Sequence, residues 1–273
     1  MKHLLIITVI FLIIVNISVK GFCENTGKEV ILATTTSISD TGLLDLLSEI
    51  FQKKTGYILK PLAVGTGQAL TMAAKGEADI VMVHSEKAEK EFMNKGYGSA
   101  RERIMHNFFI IAGPGDDPAK IKSCKRAIEA FQKIGKGKFN FISRGDESGT
   151  HQKELALWEK AGIKPEGSWY IEAGQGMAQT LQIANEKNAY TLTDTGTFLY
   201  LKKNLQITAL LDKDPDLINI YSAITVNAEK FPSVNRKGAG AFLDFLLSSD
   251  AQNIIKSFGV KEFGTPLFIP DRL

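Results

Sequence analysis

The stretch FNFISRGDESGTHQKELALW, residues 139–158, passes from apolar alternation through a polar turn into helical spacing. Phe139, Phe141 and Ile142 read as a short strand, and Leu155 with Trp158 as the apolar face of the helix that follows. Ser148-Gly149-Thr150 lies where that helix begins, and Arg144 stands just ahead of it. A helix N-terminus presents unpaired N–H groups and a partial positive charge, which makes it a ready anion site. Hydroxyls and a guanidinium fork at the same point suit a tetrahedral oxyanion. The same residues also fit a plain capped helix with Arg144 paired to Asp146.

Working outward, the strand–turn–helix unit recurs. Towards the N-terminus, Glu29–Ala33 reads as a strand ending in Thr34-Thr35-Thr36-Ser37, with a helix behind it that places Leu43, Leu47, Ile50 and Phe51 together and closes at Gly56. Capping uses one or two hydroxyls, so a run of four points to ligand contact. Ile58–Val64 is a second strand, with Pro61 marking an edge, and it runs into Gly65-Thr66-Gly67-Gln68 and a helix. Asp79–Val83 is a third strand, ending at His84 and Ser85, and a charged helix spans 87–95. Phe108–Ala112 is a strand, and the Gly/Pro/Asp cluster after it marks a first crossing between domains, with a helix expected over 118–133.

Towards the C-terminus, Trp169–Glu172 leads into Gly174-Gln175-Gly176 and a helix bearing Met177, Leu181 and Ala184. Ala189–Asp194 is a further strand, Leu217–Val226 the strand returning to the first domain, and 237–258 a closing helix with Phe242, Phe245, Leu246 and Ile254 as core. Alternating strands and helices predict α/β domains with largely parallel sheets, whose ligands sit beyond the carboxyl ends of the strands.

The 273 residues, 44% hydrophobic and 23% charged, have the composition of a soluble globular protein. Residues 1–21 read as a secretory signal: Lys2, an apolar run from Leu4 to Val19, and a cleavage site at Val19-Lys20-Gly21. Its removal takes away Lys2 and Lys20, leaving 31 basic against 30 acidic residues, a balance that gives no support for nucleic-acid binding. Only Cys23 and Cys124 are present, so no disulfide framework is indicated. Lys-Gly-Phe before Cys23 lacks the small-residue box of a lipidated cysteine, which points to a free periplasmic protein rather than an anchored one.

ATTTS (33–37), VGTGQAL (64–70), SRGDESGTH (143–151) and WY followed by GQGM (169–177) together resemble the tungstate-binding proteins of ABC importers, over nearly the whole mature chain. The resemblance implies a two-domain periplasmic binding protein of type II, with two crossover strands and a ligand cleft between the domains. It assigns 28–108 with 225–273 to domain 1 and 109–224 to domain 2. Thr35, Thr36, Ser37, Thr66, Gly67, Arg144, Ser148, Thr150 and Gly176 are its expected ligand contacts. The implied ligand is tungstate, or molybdate as an ion of equal charge and nearly equal size. The implied partner is the importer's membrane permease. No cofactor, no metal cation, no catalysis and a monomeric state are expected. The family pattern places an Arg after Asp194, whereas this chain has Thr195.

Tungstate and molybdate carry no proton near neutrality, so a site made only of donors answers every oxygen. The rival ligand is phosphate, since RGDESGT also resembles the R-x-D-x-S-G-T loop of phosphate-binding proteins. Those proteins use a carboxylate to accept the ligand's proton, where this chain offers His84 and Ser85. A hydrolase is the rival of another class. Asp146, Ser148 and His151 supply triad residue types, but within six positions and without a G-x-S-x-G elbow. His151 with Glu154 has the spacing of a metal pair without further ligands.

Overall fold

The computed structural model describes residues 27–273; the expected signal, its cleavage site and Cys23 lie outside the described residues. The chain opens with β1 (Glu29–Thr35), α1 (Thr36–Ser39), α2 (Leu43–Thr55), β2 (Ile58–Val64), α3 (Thr66–Ala73), β3 (Ile80–Val83), α4 (Glu86–Asn94) and the long β4 (Gly98–Gly113). After a single 3-10 turn come α5 (Ala127–Lys136), β5 (Phe141–Ser143), α6 (Gly149–Ala161), β6 (Tyr170–Glu172), α7 (Met177–Glu186), β7 (Tyr190–Asp194), α8 (Thr195–Leu201) and β8 (Thr208–Leu211). The chain ends with β9 (Ile218–Val226), α9 (Arg236–Leu247), α10 (Ser249–Ser257), α11 (Val260–Phe263) and β10 (Ile269–Pro270).

The strands pair in the order β2-β1-β3-β9-β4-β7-β5-β6, with β8 and β10 also against β4. β1 is parallel to β2 and β3, and β5 is parallel to β6 and β7, so two three-stranded parallel units flank an antiparallel β9–β4 centre. β4 changes partners along its length: up to Phe108 it pairs with β9, and from Phe109 onward with β7 and β8. Pro61 lies on β2 at the sheet edge, where a missing N–H is tolerated.

Each parallel unit is covered on both faces. Phe51 of α2 packs edge-on against Phe242 of α9, with centroids 4.9 Å apart, over β1 and β3. Across the opposite face, α3 packs through Ala69 and Ala73. In the other unit, Trp158 of α6 meets Phe131 of α5 and Phe141 of β5 at 4.4 and 5.1 Å.

Several expectations are corrected. Leu155 is 43% exposed, and the buried side of α6 is Glu154, Leu157, Trp158 and Ala161, so the stripe is rotated and includes a carboxylate. The helix expected over 118–133 starts at Ala127, because Lys120 takes a left-handed conformation and the chain makes only a 3-10 turn over Ile121–Ser123. Cys124, expected within a helix, follows that turn as a buried free thiol. The closing helix is two helices, broken where Ser248 turns extended and its side chain caps Ala251 N–H. β4 begins ten residues earlier than the apolar run 108–112, and Thr36–Ser39, expected as a loop, is helical.

Candidate functional site

The turns singled out above all lie at the carboxyl ends of parallel strands, and the fold brings several of them into contact between the two units. β1 delivers Thr35 to Ser37, β2 delivers Thr66 and Gly67, and β3 delivers His84 and Ser85. From the opposite unit, β5 delivers Arg144 to Thr150, β6 the turn to Gly176, and β7 Asp194 to Thr197. The two sides touch. A Cβ placed on Gly149 would lie 2.8 Å from the His84 ring, and one on Gly67 would lie 3.9 Å from the Glu147 carbonyl. Ser85 Oγ donates to Gln152 Oε1. A cleft of about 460 Å³ opens beside these contacts, with Thr36, Asp40 and Thr41 on one wall and Gly176, Gln179 and Thr197 on the other.

On the first side, not all four hydroxyls of the run face the ligand position. Thr34 Oγ1 donates to the Met82 carbonyl at 2.9 Å and so ties β1 to β3. Thr35 and Ser37 hydroxyls lie 3.1 Å apart, both buried, and Ser37 also bonds with the Tyr221 hydroxyl. Thr66, the first residue of α3, is fully buried and its hydroxyl has no partner among the described residues. A buried polar atom left without a bond is costly, and a ligand oxygen would satisfy it.

On the second side, Arg144 is 5% exposed, and its Nε and Nη2 both donate to Asp146 Oδ2. Asp146 Oδ1 accepts the Ser148 N–H at 3.2 Å, so this carboxylate braces the guanidinium and the helix start together. Ser148 caps α6 by accepting the His151 backbone N–H at 3.3 Å, and Thr150 is buried behind it. The capped helix and the Arg144–Asp146 pair of the plainer reading are thus both present, while the Nη1 end of the fork is not engaged by Asp146. Gly145 holds φ +60°, and a side chain there would meet Glu172 Cβ at 2.7 Å, so the loop needs glycine.

Beneath this loop lies Glu154, 1% exposed, accepting Trp158 Nε1–H at 3.1 Å and Tyr170 O–H at 2.8 Å. The Ser143 side chain and the Arg144 backbone bond to the same carboxyl. Burial pushes its pKa up to about 7, against the opposing pull of those donors. On the first side, His84 is sandwiched between Gly149 and the Tyr221 ring, whose centroid is 4.9 Å away. Burial drives the His84 pKa down to about 4; its Asn219 bond opposes this and the Arg144 charge adds to it. Asp194 is buried and raised by desolvation, with Thr197 N–H at 2.9 Å on one oxygen and Thr197 Oγ1–H at 2.7 Å on the other. Asp40, at the cleft wall, is raised by burial and then by Asp194, and lowered by Arg144.

The triad alternative fails on geometry: His151 Nδ1 accepts the Glu147 backbone N–H at 3.0 Å, and Ser148 Oγ serves the backbone. Among the described residues, no group of three or more His, Cys, Asp or Glu is placed to hold a metal ion. No helix among them is long and apolar enough to cross a membrane. Sequence reasoning missed Tyr221 and Asn219, which brace His84 and Ser37 from an ordinary-looking strand, and it weighed Glu154 only as a metal partner of His151. It also passed over Thr197, although Asp194-x-x-Thr197 is the spacing of a side-chain helix cap.

Residues 23–250 match the family model described as a PBP superfamily domain. A curated relative, the tungstate-binding protein TupA of Peptoclostridium acidaminophilum, is 48% identical over 258 residues, covering 93% of this chain and 90% of that protein. The crystal structure of the tungstate ABC transporter from Geobacter sulfurreducens aligns with TM-score 0.77 at 42% identity, covering 84% of this chain and 98% of that one. The tungstate-binding protein TupA from Desulfovibrio alaskensis G20 aligns with TM-score 0.76 at 41% identity, covering 90% and 99%.

Proposed function

The chain belongs to the tungstate-binding proteins of the PBP superfamily, and from this premise we infer that it captures tungstate outside the cytoplasm and delivers it to the permease of an ABC importer. The observation that carries this reading to the chain's own residues is the orphaned Thr66 hydroxyl, buried opposite the Arg144 loop. A proton-free dianion accepts hydrogen bonds only, and the candidate contacts Thr35, Ser37, Thr66, Ser148, Thr150 and Arg144 are all able to donate. Thr36 and Gly176 line the adjoining cleft, and Gly67 lets the two sides approach. Phosphate is not favoured, because the relatives that share most of the chain at 41–48% identity are named for tungstate.

In this reading one lobe comprises residues 28–108 with 225–273, and the other residues 109–224. The partner switch of β4 between Phe108 and Phe109 supports the first crossing. β9, read as the returning strand, pairs along its length with β4 and through Ser222–Thr225 with β3, which supports a return to the first lobe along this strand. The lobes close on the ion, excluding water and strengthening each bond, and the protein works as a periplasmic monomer released by cleavage of the 1–21 signal, without catalysis. Parallel calorimetric titration with tungstate, molybdate, sulfate and phosphate tests the reading. Tight binding of tungstate or molybdate is expected, and a protein that binds phosphate tightly and neither of those ions overturns it.

A further inference from the structure

His151 is the third residue of α6 and only 8% exposed. Its ring folds back over the turn, where Nδ1 lies 3.0 Å from the Glu147 backbone nitrogen. A backbone N–H can only donate, so Nδ1 holds a lone pair and the proton of the neutral ring is on Nε2. That Nε2 is buried and has no partner among the described residues. A buried N–H without an acceptor is a rare feature that calls for an explanation.

The surroundings supply one. Glu147, the residue whose amide His151 holds, sits at φ +58°, an unusual conformation for a non-glycine residue. Its carbonyl accepts from Gln152 Nε2 at 3.2 Å and faces Gly67, the neighbour of the orphaned Thr66 hydroxyl on the opposite side. Two buried polar groups without a partner among the described residues therefore stand at the first turns of α3 and α6, whose starts approach each other through Gly67 and Glu147.

We propose that His151 is a further ligand-binding residue, donating Nε2–H to the oxyanion. The inference rests on the tungstate reading and deepens it. Because Nδ1 is occupied as an acceptor, the ring has one function toward the ligand: it gives a hydrogen bond and takes none. It thus favours an unprotonated oxygen over a ligand O–H. His84 has the opposite arrangement. Asn219 spends its Nδ2 on Asn107 Oδ1 and the Tyr221 hydroxyl, at 2.8 and 2.9 Å, so its Oδ1 accepts from His84 Nδ1–H at 2.8 Å and the His84 Nε2 carries the lone pair.

Two substitutions separate donor from brace. His151→Asn keeps an acceptor at the Nδ1 position for Glu147 N–H and removes the Nε2 donor. His151→Gln keeps an amide donor at the Nε2 reach and removes the brace. Wild type and both variants are titrated with tungstate, molybdate, sulfate and phosphate, and the melting temperature of each unliganded protein is recorded. We expect His151→Asn to melt near wild type and lose about tenfold or more in tungstate affinity, the effect of one missing donor. His151→Gln is expected to melt lower and bind more tightly than His151→Asn. An Asn variant that binds like wild type overturns the proposal, whereas a wild type that prefers phosphate overturns the tungstate reading on which it rests. Should either variant fail to fold, side-chain 15N NMR of wild type decides. A protonated Nε2 that shifts on addition of the bound oxyanion supports the proposal, and a protonated Nδ1 or an unmoved signal refutes it.

Discussion

On the β1–β3 side of the cleft the candidate contacts are neutral hydroxyls held within a hydrogen-bonded sheet edge; on the β5–β7 side a guanidinium sits in a loop braced from beneath. The first side uses Thr34 to pin β1 to β3, links Thr35, Ser37 and Tyr221, and leaves Thr66 unpartnered. The second holds Arg144 with Asp146, and its backbone with Glu154, and keeps Glu147 in place through His151. On the function proposed above, the difference predicts an order of binding: the dianion would meet the charged, braced loop first, and closure would then add neutral donors that bond well only once water is excluded.

The sharpest way to break that division is to remove the charge. Arg144→Ala is expected to lower tungstate affinity by about 3 kcal/mol or more, roughly a hundredfold, since bonds to a charged group are the strong ones. Arg144→Lys restores only part, because a point charge does not reproduce the fork. Calorimetry on both variants checks this, and an Ala variant that binds as tightly as wild type removes the asymmetry between the sides.

A smaller effect separates a ligand hydroxyl from a capping hydroxyl. Thr66→Val is expected to weaken tungstate by about 1–3 kcal/mol without lowering the unliganded melting temperature, because the lost hydroxyl had no partner. Ser148→Ala is expected to lower both, since Ser148 Oγ also caps α6, a bond worth about 1 kcal/mol. Paired thermal melts and titrations test the contrast. If both variants lose stability and keep affinity, the two sides differ only as helix caps.

The same asymmetry governs what the sequence made readable. The turns could be read because strand, small polar residues and helix follow one another closely in the chain, as at Val64-Gly65-Thr66 and Ser143 to Gly149. The bracing groups are distant in sequence or disguised by type. Glu154 looks like a solvent-facing residue of α6, and only the meeting of Trp158 and Tyr170 with it reveals a buried acceptor. The early half of β4 carries Arg101, Glu102 and Arg103, which mask a strand; Arg101 is held by the buried Glu89 of α4. Ser248 ends one helix and starts another inside a continuous apolar pattern, where a cap rather than a periodicity marks the boundary.

The smallest expected effect is one that nearly cancels, and it compares the two sides through their buried titratable groups. Glu154 is raised to about 7, so between its ordinary value of 4.5 and about 7 the folded protein holds a proton that the unfolded chain has released. Stability from Glu154 therefore falls as pH rises through that window. His84 is lowered to about 4 from 6.5, so between those values the unfolded chain binds a proton that the folded protein refuses. Stability from His84 rises with pH over that span. Each shift corresponds to about 3 kcal/mol as an upper bound, with opposite signs where the windows overlap, from about pH 4.5 to 6.5. Wild type should therefore show little net slope from this pair, and the variants should unmask it. Glu154→Gln removes the falling contribution, so its melting temperature should climb relative to wild type as pH rises from 4.5 to 6.5. His84→Asn keeps a donor for Asn219 and removes the rising contribution, so it should decline relative to wild type over the same range. Denaturant melts of the three proteins across that range read both slopes. If Glu154→Gln tracks wild type in parallel, the Glu154 carboxyl is ionised as an ordinary surface group is, and the loop carrying Arg144 is braced by a charge instead of a neutral acid.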